Sequence, residues 1–107
     1  MNPKLPNLLN KYSIYLKAGL ARSDRTVSVY TSDIQTFFRF IEFNAINPEK
    51  ITREEVRQYL AWLATSANGG NHGYTRTSIA RKFVALRSFY KFLIAVSYTH
   101  LTLPTNR

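Results

Sequence analysis

A chain of 107 residues with 15 Lys and Arg against six Asp and Glu, a net charge of +9 and no cysteine, has the size of one domain and excludes a disulfide framework or a thiolate metal site. An aromatic share of 14% within a 45% apolar composition argues against intrinsic disorder. No apolar run approaches the roughly 20 residues needed to span a bilayer, and the start, MNPKLPNLLNKY, lacks the apolar stretch of a secretory signal, so a cytoplasmic protein is expected.

Four segments carry helical periodicity, which predicts an all-α fold. The first runs from about Lys4 to Ala18, with Leu5, Leu8, Leu9, Tyr12, Tyr15 and Leu16 on one face. Pro6 is tolerable there because it falls in the first turn, and Gly19 stands where a left-handed cap would end the helix. The second runs from about Asp24 to Asn44. Ser23 is its expected N-cap, and Asp24 then faces the positive end of the helix dipole. Val27, Tyr30, Ile34, Phe37, Phe38 and Ile41 form its stripe, while Phe40 and Phe43 lie off it. Asn44 and the Asn47-Pro48 pair end the helix.

The third segment runs from about Arg53 to Thr65. Thr52 and Glu55 have the spacing of a capping box, and Ile51 can staple onto Val56. Val56, Tyr59, Leu60 and Leu63 face inward, with Trp62 directed toward a neighbouring helix. A Gly- and Asn-rich loop, residues 66 to 74, follows. The fourth helix runs from about Arg76 to Ile94 with Thr75 as N-cap and Ile79, Phe83, Leu86, Tyr90 and Leu93 as its stripe. It carries five basic residues and no acid. On a helical wheel Arg81 lies nearly opposite Ile79, beside Thr77, Ala85 and Ser88, so this small or basic face is expected to point outward. After it, residues 96–107 (VSYTHLTLPTNR with its first valine) lose the helical stripe and resemble translated sequencing-adapter readthrough. They are assigned to a tail, disordered or not native to the domain, outside a domain of residues 1–95.

The charges are segregated. All six acids lie between Asp24 and Glu55, and seven basic residues with no acid follow from Val56 onward. Such a one-sided field in a small domain implies a polyanionic partner, nucleic acid or an anionic membrane surface.

Three strings in order carry a family resemblance: SDRTVSVYTSDIQTFFRFI (residues 23–41), ITREEVRQYLAWLA (51–64) and ARKFVALRSFYKFL (80–93). Together they resemble the N-terminal core-binding, SAM-like domain of tyrosine recombinases of the phage-integrase and Xer type, over about residues 5 to 94. Ser23, Thr26, Tyr30 and Asp33 match that family's second-helix pattern. The resemblance implies a four-helix bundle of two crossed helical hairpins that clamps one face of double-stranded DNA. It also implies that other recombinase protomers are partners. The outer faces and starts of the second and fourth helices would meet the major groove, with Arg reading guanine and most other contacts made to phosphate. Carried onto this chain, the DNA-binding candidates are Arg22, Ser23, Arg25 and Thr26 on the second helix and Arg76, Thr77, Arg81, Lys82 and Arg87 on the fourth. Arg81 is the choice for a base edge. Ser23 and Thr26 have caps as an alternative role, and Arg87 has pairing with Asp33. Val84 and Arg25 depart from the family's usual residues, which bears on the DNA sequence read.

The resemblance places the family's catalytic groups, a tyrosine nucleophile with a His-x-x-Arg motif, in a following domain. Here the two histidines, His72 and His100, do not begin such a motif. No metal-ligand cluster, phosphate-cradling Gly-rich loop or Ser-His-Asp pattern is present either. No cofactor, metal, small-molecule substrate or enzymatic activity is therefore expected of this chain alone. A helical protein-interaction module, using Trp62, Phe40 and Phe43, is the alternative function. Membrane-surface binding ranks last, because the apolar stripes read as faces shared among four helices.

Overall fold

A computed structural model describes residues 4–65 and 73–96. Its elements, in order, are α1 (Lys4–Ile14), a π-helical turn (Tyr15–Gly19), α2 (Asp24–Phe43), a short 3-10 turn (Pro48–Lys50), α3 (Arg53–Ala64) and α4 (Arg76–Val96). No strand occurs among the described residues. No helix among them is long and apolar enough to cross a membrane.

The helix starts are set by local chemistry. Ser23 accepts a hydrogen bond from the Thr26 amide at 3.1 Å, satisfying one donor that the first turn of α2 leaves unpaired. At α3 the capping box closes in both directions. The Glu55 amide donates to Thr52 Oγ1 at 3.1 Å, and the Thr52 amide donates to Glu55 Oε1 at 2.9 Å. Ile51 and Val56, either side of it, are both buried. Thr75 accepts from the Ser78 amide at 3.2 Å at the start of α4.

The end of α1 differs from expectation. Gly19 does not supply a left-handed cap. The helix instead widens into the π turn, and the left-handed residue is Ala21, at φ 54°. The Arg22 amide then donates to the Leu16 carbonyl at 2.9 Å, tying the link back onto the end of the first helix. A residue with a Cβ in this region carries strain; the Arg22–Leu16 bond fixes the short α1–α2 connection around it.

Two helical hairpins, α1–α2 and α3–α4, pack together chiefly through α2 against α4. Their shared core is aromatic. Phe37 meets Tyr59 and Tyr90 edge-on, with ring centroids 5.2 and 6.3 Å apart. Phe38 meets Phe89 at 5.6 Å, and Tyr12 meets Phe89 at 5.3 Å. Edge-to-face pairs of this kind add to the stabilisation from area buried. Phe40 is buried against Tyr59 and Trp62, so it widens the core face of α2. Trp62, half-buried, packs on that neighbouring helix as expected. Phe43 stays 85% exposed.

Gly73 is where the chain comes back onto the end of α3. A Cβ there would lie 2.3 Å from the Ala64 carbonyl carbon and oxygen, closer than any side chain tolerates. This close approach lets the Tyr74 amide donate to the Leu63 carbonyl at 2.8 Å. Of the tail expected over residues 96–107, Val96 closes α4; residues 97–107, with the readings of His72 and His100, lie outside the described residues.

Candidate nucleic-acid interface

α4 sits among three helices, and that changes which of its faces is outward. Beyond the expected stripe, Lys82, Ala85, Phe89 and Phe92 are buried as well. Ala85 and Ser88, expected beside Arg81 on the open side, face α1 instead: Ala85 is fully buried, and Ser88 accepts a hydrogen bond from the Tyr12 hydroxyl at 3.0 Å. Burial pushes the Tyr12 hydroxyl up to about 12, with the Ser88 hydrogen bond acting in the opposite sense. A wheel drawn for one core face fails for a helix that has partners on three sides.

The largest correction concerns Lys82. Its side chain is 5% exposed, and its ammonium donates to Asp33 Oδ1 at 2.7 Å. On its other side lies the Tyr74 ring, 4.5 Å from Nζ to the centroid, a cation–π contact. Lys82 is therefore an interior counter-ion, and its geometry withdraws it from the DNA candidates. Arg81 shares the same carboxylate. Its Nε donates to Oδ2 at 2.9 Å and its Nη2 to Oδ1 at 2.8 Å, while 45% of its side chain remains exposed. The pairing of Asp33 thus goes to Arg81 and Lys82 rather than to Arg87.

Asp33 itself is 1% exposed. Burial alone would raise its pKa, but the hydrogen bonds from Arg81 and Lys82, reinforced by their charges, hold the carboxyl below the usual carboxylate range. This explains an acid within the apolar stripe of α2: one buried carboxylate holds two cations of α4 against the second helix.

The remaining cations gather elsewhere. A groove of about 400 Å³ lies between the end of the first hairpin helix, α2 and α4. Arg22, Arg87 and Lys91 line it, with Tyr30, Val84 and Ser88 among them. No acid lines it. Arg22 and Lys91 are exposed and Arg87 is half-buried. Two of the sequence candidates, Arg22 and Arg87, are brought together here across 65 positions of chain separation (87 minus 22). Lys91 and Tyr30, outside the sequence candidates, line it too. For Lys91 the sequence carries a signal: Val84, Arg87, Ser88 and Lys91 follow the i, i+3, i+4, i+7 spacing of one helical face.

The helix starts supply the other candidates. Arg25 is exposed and Thr26 half-buried in the first turn of α2. The hydroxyls of Ser23 and Thr26 bond each other at 3.0 Å, so both groups take part in the cap. Arg76 and Thr77 are exposed in the first turn of α4. The acids are compensated or remote. Asp24 pairs with Lys17 and Glu49 with Lys4. Glu54 pairs with Arg57, and Glu55 closes the α3 capping box. Apart from Asp24 and the internal Asp33, the acids fall between the last turn of α2 and the first turn of α3.

A family model, the phage integrase N-terminal SAM-like domain, matches residues 9–96. The tyrosine recombinase XerC of Chlorobaculum tepidum is 32% identical over 93 residues, covering 80% of this chain and 26% of its own length. The XerC of Bacillus licheniformis is 38% identical over 89 residues, covering 82% of this chain and 27% of its own. A tyrosine recombinase of Pseudothermotoga lettingae is 32% identical over 89 residues, covering 83% and 30%. The chain spans between a quarter and a third of the length of these curated relatives. No solved structure matches it significantly. With its four-helix bundle and the family match over residues 9–96, this chain belongs to the phage-integrase N-terminal SAM-like domain family, the N-terminal domain of tyrosine recombinases.

Proposed function

We propose that this domain holds double-stranded DNA for a site-specific recombinase, gripping it with the starts of α2 and α4 and with the groove between them. The observation that carries this reading is the acid-free groove in which Arg22, Arg87 and Lys91 converge. Cations gathered on a concave surface attract a polyanion and release its counterions on binding. The exposed Arg25 and Arg76 add positive charge at the starts of α2 and α4, and Thr77 is exposed beside Arg76. Strand cleavage and rejoining belong, on this reading, to the remainder of a longer recombinase; this domain contributes grip and register.

Fluorescence anisotropy of the chain against a labelled random duplex, titrated from low to physiological salt, tests the reading. Binding should weaken steeply with salt, the log–log slope reporting the number of phosphates engaged. An absence of binding at low salt would sink it.

A second reading rests on Phe43, which is 85% exposed at the end of α2. A large aromatic held in water suits a contact with another protein, such as a neighbouring protomer. Of the three apolar residues considered for that role, Phe40 is buried and Trp62 is packed on it, leaving Phe43 alone. Binding on this route would tolerate salt and fail in Phe43→Ala.

A further inference from the structure

The carboxylate of Asp33 grips Arg81 along one side only. Nε and Nη2 donate to its two oxygens at 2.9 and 2.8 Å. A guanidinium is planar and carries its five N–H donors in a rigid fork. Side-on pairing through Nε and one hydrogen of Nη2 uses the inner edge of that fork. It leaves open the Nη1–Nη2 edge, where one hydrogen of each nitrogen points the same way, while the second Nη1 hydrogen turns back toward Cδ. That residual edge is the one with the spacing of a two-acceptor partner, and it belongs to a side chain that is 45% exposed. Behind it the arrangement is rigid: Asp33 is fully buried, and Lys82, itself interior, supplies a third hydrogen bond at 2.7 Å.

We propose that Asp33 is a positioning residue for DNA reading: it aims the outer edge of the Arg81 guanidinium at the O6 and N7 acceptors of one guanine in the major groove. The proposal rests on the DNA-holding function above and assigns it a specificity element. Three features distinguish this arginine from a freely moving surface arginine. Its fork is held before DNA arrives, so little side-chain entropy is lost on contact. Its charge is already shared with a carboxylate, so its contribution lies in directed hydrogen bonds more than in attraction to phosphate. And Lys82 beside the same carboxylate keeps Asp33 ionised, so the acceptor that aims Arg81 is present throughout the neutral range. The groove cations then supply general affinity, and Arg81 supplies preference at one base pair.

The test uses the full 107-residue chain. Duplexes with a randomised centre are enriched by rounds of binding. The enriched duplex is then compared with a scrambled one by anisotropy, with each guanine replaced in turn by 7-deazaguanine, which lacks the N7 acceptor. The wild type should lose about tenfold in affinity at one guanine. Arg81→Lys retains a positive charge beside Asp33 but loses the fork. It should erase the preference at that guanine, bringing enriched and 7-deaza duplexes to the same affinity, with the melting temperature near wild type. Asp33→Asn should erase the same preference, and Asp33→Glu should restore part of it.

Retention of the guanine preference in Arg81→Lys overturns the proposal. So does a fall in melting temperature in these variants with the preference intact, which would make the pair an interhelical brace only. Salt-sensitive binding without any guanine dependence overturns the positioning role and leaves the DNA-holding function standing. Failure of the wild type to bind any duplex at low salt overturns that function itself, and this proposal with it. Should Asp33→Asn not fold, Asp33→Glu decides the role of Asp33: a guanine preference undiminished from wild type overturns it.

Discussion

Two groups of cations on α4 look alike in sequence and differ in the folded domain. Arg81 and Lys82 converge on a buried carboxylate, with Lys82 sealed in the interior. Arg87 and Lys91, about one and a half and two and a half turns beyond Lys82, converge with Arg22 on a groove that no acid lines. The first group joins α2 to α4 through a buried carboxylate; the second lines a surface groove. The difference teaches that a basic helix face is not by itself a binding surface. What decides is whether a counter-ion from another element lies within reach. A buried ion pair adds little net stability over an apolar replacement, but it punishes the loss of either member, whereas exposed charges cost almost nothing to remove.

The sharpest way to break the comparison is Asp33→Ala. It strands the interior Lys82 charge and should cost about 3–5 kcal/mol of folding stability, measured by urea denaturation. A loss under about 1 kcal/mol would mean that Lys82 escapes to water or sheds its proton. The same pair has a pH signature. Because the folded pKa of Asp33 lies below its unfolded value, near 3.9 in an unperturbed chain, its contribution is present above that value and is lost as pH falls through the lower folded pKa. The stability gap between wild type and Asp33→Asn should therefore be flat from pH 7 to about 5 and close at more acid pH.

The groove should behave in the opposite way. Replacing Arg22, Arg87 and Lys91 together by alanine should lower random-duplex affinity on the order of 10–100-fold at moderate salt and reduce the salt slope by about 3. Folding stability should shift by less than about 1 kcal/mol. A triple variant that binds with the wild-type slope would move the DNA contact elsewhere on the surface.

Smaller effects come from the hydroxyls around these two sites. Tyr12, bonded to Ser88 beneath the groove, has its pKa raised from 10.0 to about 12 by burial. A neutral tyrosine favoured by the fold contributes below the unfolded pKa and loses that contribution as pH rises through the folded one. Stability should thus decline as the pH is raised above about 10, and Tyr12→Phe should make that decline shallower in alkaline titration followed by circular dichroism. Smallest of all is Tyr59→Phe. The Tyr59 hydroxyl is buried with no hydrogen-bond partner among the described residues. Removing it should leave stability unchanged or raise it by up to about 1 kcal/mol in thermal denaturation.

Much of the fold was legible because the deciding interactions are short-range. Each cap bond at Ser23, Thr52 and Thr75 spans three residues, and the stripes of α1 and α3 each face one core. The site was half legible. Arg22 and Arg87 were identified and do converge on one groove, but Lys91, on the same face of α4, was passed over. The errors have a common physical cause. The wheel puts Ala85 and Ser88 on an open face because it allows one buried side, and the resemblance puts Lys82 on DNA, whereas α4 is covered on three sides. The left-handed turn at Ala21 was equally out of reach: nothing in an alanine announces it, and the glycine two positions earlier was the natural choice.

By itself, then, the sequence determined the helices, their caps and the surplus of positive charge, because these depend on neighbours within a turn or on composition alone. Only the tertiary structure decided which cations meet a buried carboxylate and which gather along a surface groove. Asp33 reaches Arg81 and Lys82 across 48 and 49 positions of chain, and Arg22 meets Arg87 only because the end of the first hairpin helix lies beside α4. Counter-ion pairing falls off with distance in space, and no local pattern in a chain encodes which distant residue folding will bring within hydrogen-bond range.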